Sequence, residues 1–274
     1  MNKIDFALVI SAQFCNPNGD PLNGNRPRQD YDGYGYITDV CLKHKIRNRF
    51  ADYGEKVLII EDSRVTDGLF SIGARVKAQP PLNECIKRKD PDAFRNEACR
   101  IWLDVRTFGQ VFAFKDGSQG VSVPVRGPVS IGEARSLDII SIIDIGITKG
   151  TNLEDDKSRK KDSATMGNKY VIDHSAYVAY GSIYPQLAEL TGFSDADAQI
   201  LKSSMATIFE NDASSARPSG SMGSQLFWWE HDCPTGRKNS LHVHRSLHIK
   251  PAEDFPFYTC DPEPIPGIEL SVLN

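Results

Sequence analysis

Residues 16–50 read NPNGDPLNGNRPRQDYDGYGYITDVCLKHKIRNRF, a polar loop crowded with turn-forming residues that runs into a short basic helix. Asn16, Pro17, Asn18, Gly19, Asp20 and Pro21, then Gly24, Asn25, Arg26, Pro27 and Arg28, set sharp backbone turns and leave N–H groups free to point outward. From Val40 to Ala51 there is no acid, while Lys43, Lys45, Arg47 and Arg49 are all present. Outward amides beside a cationic helix suit a polyanion, and the phosphate backbone of RNA is the first candidate.

The helix can be placed closely. Thr38 is a suitable N-cap, and Asp39 suits the positive end of the helix dipole. Leu42, Ile46 and Phe50 recur every four residues and form the expected buried stripe. Gly54 is the expected stop. At about 100° per residue, Lys43 and Arg47 lie on one flank of the stripe and Lys45 and Arg49 on the other. The expectation is that Lys43 with Arg47 meets the ligand. The competing reading is a solvated basic face balanced by acids elsewhere.

Composition bounds the class. The 274 residues suffice for one large domain or two small ones, and a content of 40% hydrophobic and 25% charged residues is that of a soluble globular protein. A formal net charge of −4 argues against a protein that coats nucleic acid with its whole surface, but leaves room for a local basic groove. Asp5 interrupts the first apolar run, which is too short for a secretory core, and no stretch approaches a membrane span, so a cytoplasmic protein is expected. Cys15, Cys41, Cys85, Cys99, Cys233 and Cys260 include no C-x-x-C pair and read as free thiols.

Along the chain, residues 4–14 read as an opening strand, and Val57–Ile60 as a short second one. Residues 63–104 read as mainly helical, with a break at Pro80–Pro81 and a basic cluster at Lys87, Arg88 and Lys89. FGQVFAF and GVSVPVRGPVSI are strand-like and joined by a turn at Lys115–Gln119. Leu137–Ile147 reads as one core strand. Residues 148–169 are polar, charged and poor in aromatics, and should protrude. Residues 173–190 read as a helix. Ser194 starts another, with Asp197 as its capping-box partner. Residues 211–224 form a second small-residue loop whose one cation is Arg217. QLFWW and LHVHRSLHIK read as strands, and IELSVL as an edge strand. The order fits an α+β fold: a mostly antiparallel sheet with helices on one face, compatible with an RRM-like, ferredoxin-type core.

Two clusters invite catalytic readings. His242, His244 and His248 would share one face of a strand and, with His231 or Cys233, could hold zinc, but the spacing is poor for it. Asp20, Asp30 and Asp32 could hold Mg²⁺ for phosphodiester cleavage, but Asp in such a loop more often serves the turns. Neither carries the reading, so no metal and no cofactor is expected.

Several segments together resemble the Cas seven backbone subunits of CRISPR Cascade complexes, in the type I-C branch. They are NPNGDP (16–21), ITDVCLKHKIRN (37–48), DVRTFG (104–109), VRGPV (125–129), ARSLD (134–138), TMGNK (165–169), LAELTGFS (187–194) and IFENDASSAR (208–217). The resemblance spans most of the chain and implies one domain over residues 1–274. That domain would be a modified RRM-like palm, with a helical fingers region near residues 63–130 and a thumb at 148–169.

The resemblance also implies a non-catalytic scaffold stacked head to tail along guide RNA (crRNA), presenting it to target DNA beside other Cascade subunits, with no membrane contact. RNA contacts are then expected from Asn18, Gly19, Arg26, Arg28, Lys43, Lys45, Arg47, Ser214, Ser215 and Arg217. Met166 would be a base-kinking wedge, with Lys169 beside it. His44 departs from the stronger base that the family carries, and Pro218–Gly220 extends the second loop. Of the neighbouring Trp228 and Trp229, at most one can stack on a base, because adjacent strand residues point opposite ways. The rival reading is a metal-dependent RNase of the same fold using Asp30 or Asp32. A third is a single-stranded RNA-binding protein outside CRISPR.

Overall fold

The computed structural model describes residues 1–116, 119–148 and 166–274. Strand β1 (Ile4–Cys15) is buried on both faces for most of its length. Phe6, Leu8, Ile10 and Ala12 enter one core, whereas Ala7 and Val9 enter another, as alternation requires. The loop that follows is closed by two short paired strands, β2 (Gly19–Asp20) and β3 (Arg26–Pro27). β4 (Tyr34–Ile37) leads into helix α1 (Asp39–Asp52). Thr38 Oγ1 accepts from Cys41 N at 3.2 Å, and Leu42, Ile46 and Phe50 are fully buried. Gly54, at φ +85°, ends the turn by donating to Ala51 O at 3.0 Å.

The inserted region holds α2 (Ile72–Lys77), α3 (Pro80–Arg88), α4 (Pro91–Ile101) and α5 (Leu103–Phe108). The hairpin of β5 (Gly109–Asp116) and β6 (Gln119–Arg126) follows. Leu58, Val76, Leu82, Phe94, Trp102, Phe112 and Val125 give this region its own core. Val57–Ile60 is not a strand: the Leu58 and Ile59 amides donate to the Asp104 carboxylate at 2.7 and 3.1 Å, so a side chain stands where a neighbouring strand would.

β7 (Val129–Ile131), β8 (Ala134–Ile139) and β9 (Ile142–Thr148) come next. The single strand expected over Leu137–Ile147 is thus two strands. They part where Ile140 N turns to donate to Gly33 O at 3.1 Å. β10 (Met166–Ile183) overturns the helix expected at 173–190. Its β-branched and aromatic residues are held by partners on both sides, β1 on one and β7, β8 and β9 on the other. Helix starts only at α6 (Pro185–Thr191).

The capping box opens α7 (Asp195–Ala206): Asp197 N donates to Ser194 Oγ at 3.2 Å and Ser194 N to Asp197 Oδ2 at 2.9 Å. β11 (Met222–His231), α8 (Ser240–Arg245), β12 (Leu247–Pro251), β13 (Tyr258–Pro262) and β14 (Ile268–Leu273) complete the chain. LHVHRSLHIK is therefore a helix and a strand, because Asn239 Oδ1 accepts from His242 N at 2.8 Å and caps α8.

The main sheet runs β14-β11-β1-β10-β8-β4, with β7 and β9 also on β10, and its pairs are antiparallel. This is a mixed α+β fold built on one large antiparallel sheet. α1 and α7 cover one face, over the principal core. The other face is covered by α8 and the β12–β13 pair. Trp228 and Trp229 fall on opposite faces and both are buried, so neither is a base-stacking residue and the stacking expectation for them is corrected.

Two buried acids fasten the inserted region to the rest. Asp104, 1% exposed, takes the Arg47 guanidinium at 3.0 Å besides its two amides. Asp104→Ala should cost about 3–5 kcal/mol, because it leaves Arg47 buried without its carboxylate. Urea unfolding reads this directly, and a change below about 1 kcal/mol would show the pair to be replaceable by water. Asp197 holds Arg106 of α5 at 2.7 Å. Burial raises its pKa, but hydrogen bonds from Arg106 and Ser194 outweigh this and hold the carboxyl below its ordinary value. A depressed folded-state value adds stability above the unfolded pKa of about 3.9, and this is lost as pH falls through the folded value. Unfolding free energy should therefore decline below about pH 4, and less steeply in Asp197→Asn.

Candidate nucleic-acid interface

The two turn-rich loops, far apart in sequence, meet at the end of β1. Gln13 N donates to Ser221 O at 2.9 Å, Cys15 Sγ to Ser221 O at 3.6 Å and Asn16 N to Ala216 O at 2.8 Å. The first loop is also tied to α1. Asn18 Oδ1 accepts from Thr38 N at 3.0 Å and from Thr38 Oγ1 at 3.1 Å. Inside the loop, Asn16 Nδ2 donates to Asn25 O at 2.7 Å. Gly19 packs so close to Asn25 that a Cβ there would lie 2.0 Å from its Oδ1. Loop, helix and second loop thus form one continuous polar surface.

Its cations divide into outward and inward groups. Arg26 lies 4.0 Å above the Tyr170 ring and 3.8 Å from Asp144, and its side chain is 40% exposed. Arg28 lies 3.6 Å from Asp20. Between them is a hollow of about 200 Å³, lined also by Asn23, Asp30 and Tyr36. Lys43 is partly exposed and pairs with Asp39 at 2.9 Å. Arg217 Nε donates to Asp212 at 2.8 Å, and the Ser214–Arg217 turn is closed by Ser214 N to Arg217 O at 2.8 Å. Ser214 and Ser215 are exposed at its tip.

Lys45, Arg47 and Arg49 are buried. Lys45 pairs with Asp212, and burial, partly offset by that carboxylate, holds its ammonium below the ordinary lysine pKa. Arg47 faces Asp104. Arg49 donates to Asp52 at 2.7 Å and to Thr207. The expectation that Lys43 and Arg47 present one joint face to a ligand is therefore corrected. α5 and α7 pack along the two flanks of α1, and acids from the inserted region and the second loop draw the cations inward.

Lys169 sits half-buried on β10 opposite Ile145, and Met166 begins that strand opposite Thr148. Most of the expected thumb, residues 149–165, lies outside the described residues. Asp20 accepts from Leu22 N at 3.1 Å. Asp30 accepts from Asp32 N at 3.0 Å and Tyr34 N at 2.9 Å and pairs with Arg135, so these acids serve the turns. His242 and His244 are on α8 and His248 on β12, so the shared strand face does not exist. His231 is buried against Asp5 at 2.8 Å. Among the described residues, no His, Cys, Asp or Glu side chains gather in a group that could hold a metal ion. The six cysteines are free.

Neither Tyr170 under Arg26 nor Asp104 and Asp212 as partners of α1 is legible in the sequence, because such pairs join positions remote along the chain. Asn16 Oδ1, Arg28 Nε and Ser221 Oγ are buried and have no hydrogen-bond partner among the described residues.

Residues 2–263 match the family described as CRISPR-associated protein Cas7. A CRISPR-associated protein Cas7 of Haloferax volcanii is 27% identical over 218 residues, which are 73% of this chain and 62% of that protein. The chain thus spans less than two thirds of this curated relative. A chain of a CRISPR RNA-guided surveillance complex, pre-nicking, superposes with a TM-score of 0.48 at 15% identity, covering 83% of this chain and 76% of that one. A second, from a CRISPR RNA-guided surveillance complex, gives 0.44 at 15% identity, with 83% and 69% covered. With nearly its whole length matched, the chain belongs to the CRISPR-associated protein Cas7 family.

Proposed function

We propose that this protein is the guide-RNA-binding backbone subunit of a type I-C Cascade complex and acts in the cytoplasm without catalysing a reaction. The observation that carries the reading is the meeting of both turn-rich loops with α1 at one end of the sheet, in a chain of the Cas7 family. The exposed Ser214 and Ser215 and the half-open Arg26, Arg28, Lys43 and Arg217 suit a ribose-phosphate backbone and carry no base readout of their own. Target sequence would be read by pairing between guide and DNA.

The sheet order β11-β1-β10-β8, with α1 after β1 and α7 after β10, supports an RRM-like palm. In this reading the inserted region near 63–130 is the fingers and residues 148–169 the thumb. Copies stack head to tail, since a repeating contact that does not close makes a filament along a linear partner. Other Cascade subunits then cap the row.

The test is to co-express the chain with a CRISPR array and its neighbouring genes, purify it and sequence the bound RNA. Discrete repeat-spacer guides in a large complex are expected; mixed cellular RNA on a monomer would overturn the Cascade role. Among the cations, Arg26→Ala with Lys43→Ala should weaken RNA binding and flatten its salt dependence by about 1.4 in log–log slope, at about 0.7 for each single-strand phosphate contact removed. An unchanged slope would move the phosphate path elsewhere. Incubating complementary RNA with Mg²⁺ tests the rival RNase: cleavage by the wild type that Asp30→Ala abolishes would replace the scaffold reading.

A further inference from the structure

Phe14 is the one residue of β1 whose conformation its own fold does not explain. Its φ is +46°, a left-handed backbone that a bulky side chain rarely adopts and that is destabilising when it does. The ladder to β10 pairs Gln13 with His174 and Cys15 with Ile172, and skips Phe14. The turn resets the alternation: Ala12 and Cys15 both bury in the principal core, while Gln13 and Phe14 are both exposed. Phe14 is 55% exposed, so the strain is not offset by burying its side chain.

Its position gives the strain a use. Ser221 O takes hydrogen bonds from Gln13 N and Cys15 Sγ, and Asn16 N reaches Ala216 O, so Phe14 is clasped where the two loops join. A strand that laid its phosphates along the loops would turn its bases past this point. An exposed ring on a backbone fixed at that place offers a flat apolar face to any base, whatever its sequence.

We propose that Phe14 is a stacking platform for one nucleobase of the bound single-stranded RNA, an inference that rests on the RNA-binding reading above. The test uses the full chain and a short single-stranded RNA carrying 2-aminopurine, whose fluorescence is quenched on stacking. Phe14→Asn keeps a residue that tolerates the left-handed turn and removes the ring. It should bind about fivefold to a hundredfold more weakly, with the salt slope unchanged and the melting temperature equal or higher. Phe14→Trp should retain affinity and quenching, and Phe70→Ala, an exposed ring in the inserted region, should behave as wild type.

Wild-type affinity and quenching in Phe14→Asn, or a loss that only follows a lowered melting temperature, would overturn the stacking role and leave the RNA-binding reading standing. A wild-type chain that binds no RNA would overturn both.

Discussion

Three cations of α1 are buried, and a buried cation persists only when an anion and hydrogen-bond acceptors meet it. The partners come from different parts of the chain. Asp104 belongs to α5 in the inserted region, Asp212 to the second loop, and Asp52 to the end of α1 itself, where it also takes Arg64 at 2.7 Å. One short helix therefore sets where the inserted region and the second loop stand relative to the sheet. Moving any of these acids away would strand a charge in the interior. The same pairing explains why a helix rich in Lys and Arg offers so few open cations to a ligand.

The two ends of β1 are built for different tasks. At the start, Asp5 is held by His231 at 2.8 Å, Ser182 at 2.5 Å and Lys3 at 3.3 Å, all within the protein. Those contacts outweigh burial and keep its carboxyl below the ordinary value, so the end is charged and self-contained. At the other end, Asn16 Oδ1 and Ser221 Oγ have no hydrogen-bond partner among the described residues. A strand whose middle is buried on both faces joins a charged, internally paired end to one where two loops meet.

Local chemistry was legible in the sequence, and partnership at a distance was not. The caps of α1 at Thr38 and of α7 at Ser194, and the strands β1 and β11, all follow from short-range rules of caps and alternation. β10 is not decided by its own residues, because an apolar run with aromatics suits a buried strand and a helix alike, and only its neighbours settle it. The histidine segment turns helical because Asn239 caps it, against the strand-like alternation of its apolar residues. Within the candidate site, the turn-forming residues and the partly exposed Arg26 and Arg217 stand out in the sequence itself. The inward turn of Lys45 and Arg47 does not, since Asp212 lies 167 residues from its lysine and Asp104 lies 57 from its arginine.

β10 is 18 residues long, or about 60 Å at about 3.3 Å per residue. From Ile183 to Ile172 it is clamped to β1, and from Ile172 to Met166 it pairs with β9. The outer part projects past β1 from a root at Ile172, directly across from Cys15, and is stayed on the first loop where Arg26 lies over Tyr170 and near Asp144. A load on the ribbon is therefore divided between a bending moment at that root and a side-chain stay. The ribbon and the two loops share one mechanical support, and a displacement of either reaches the other through the backbone and through that arginine.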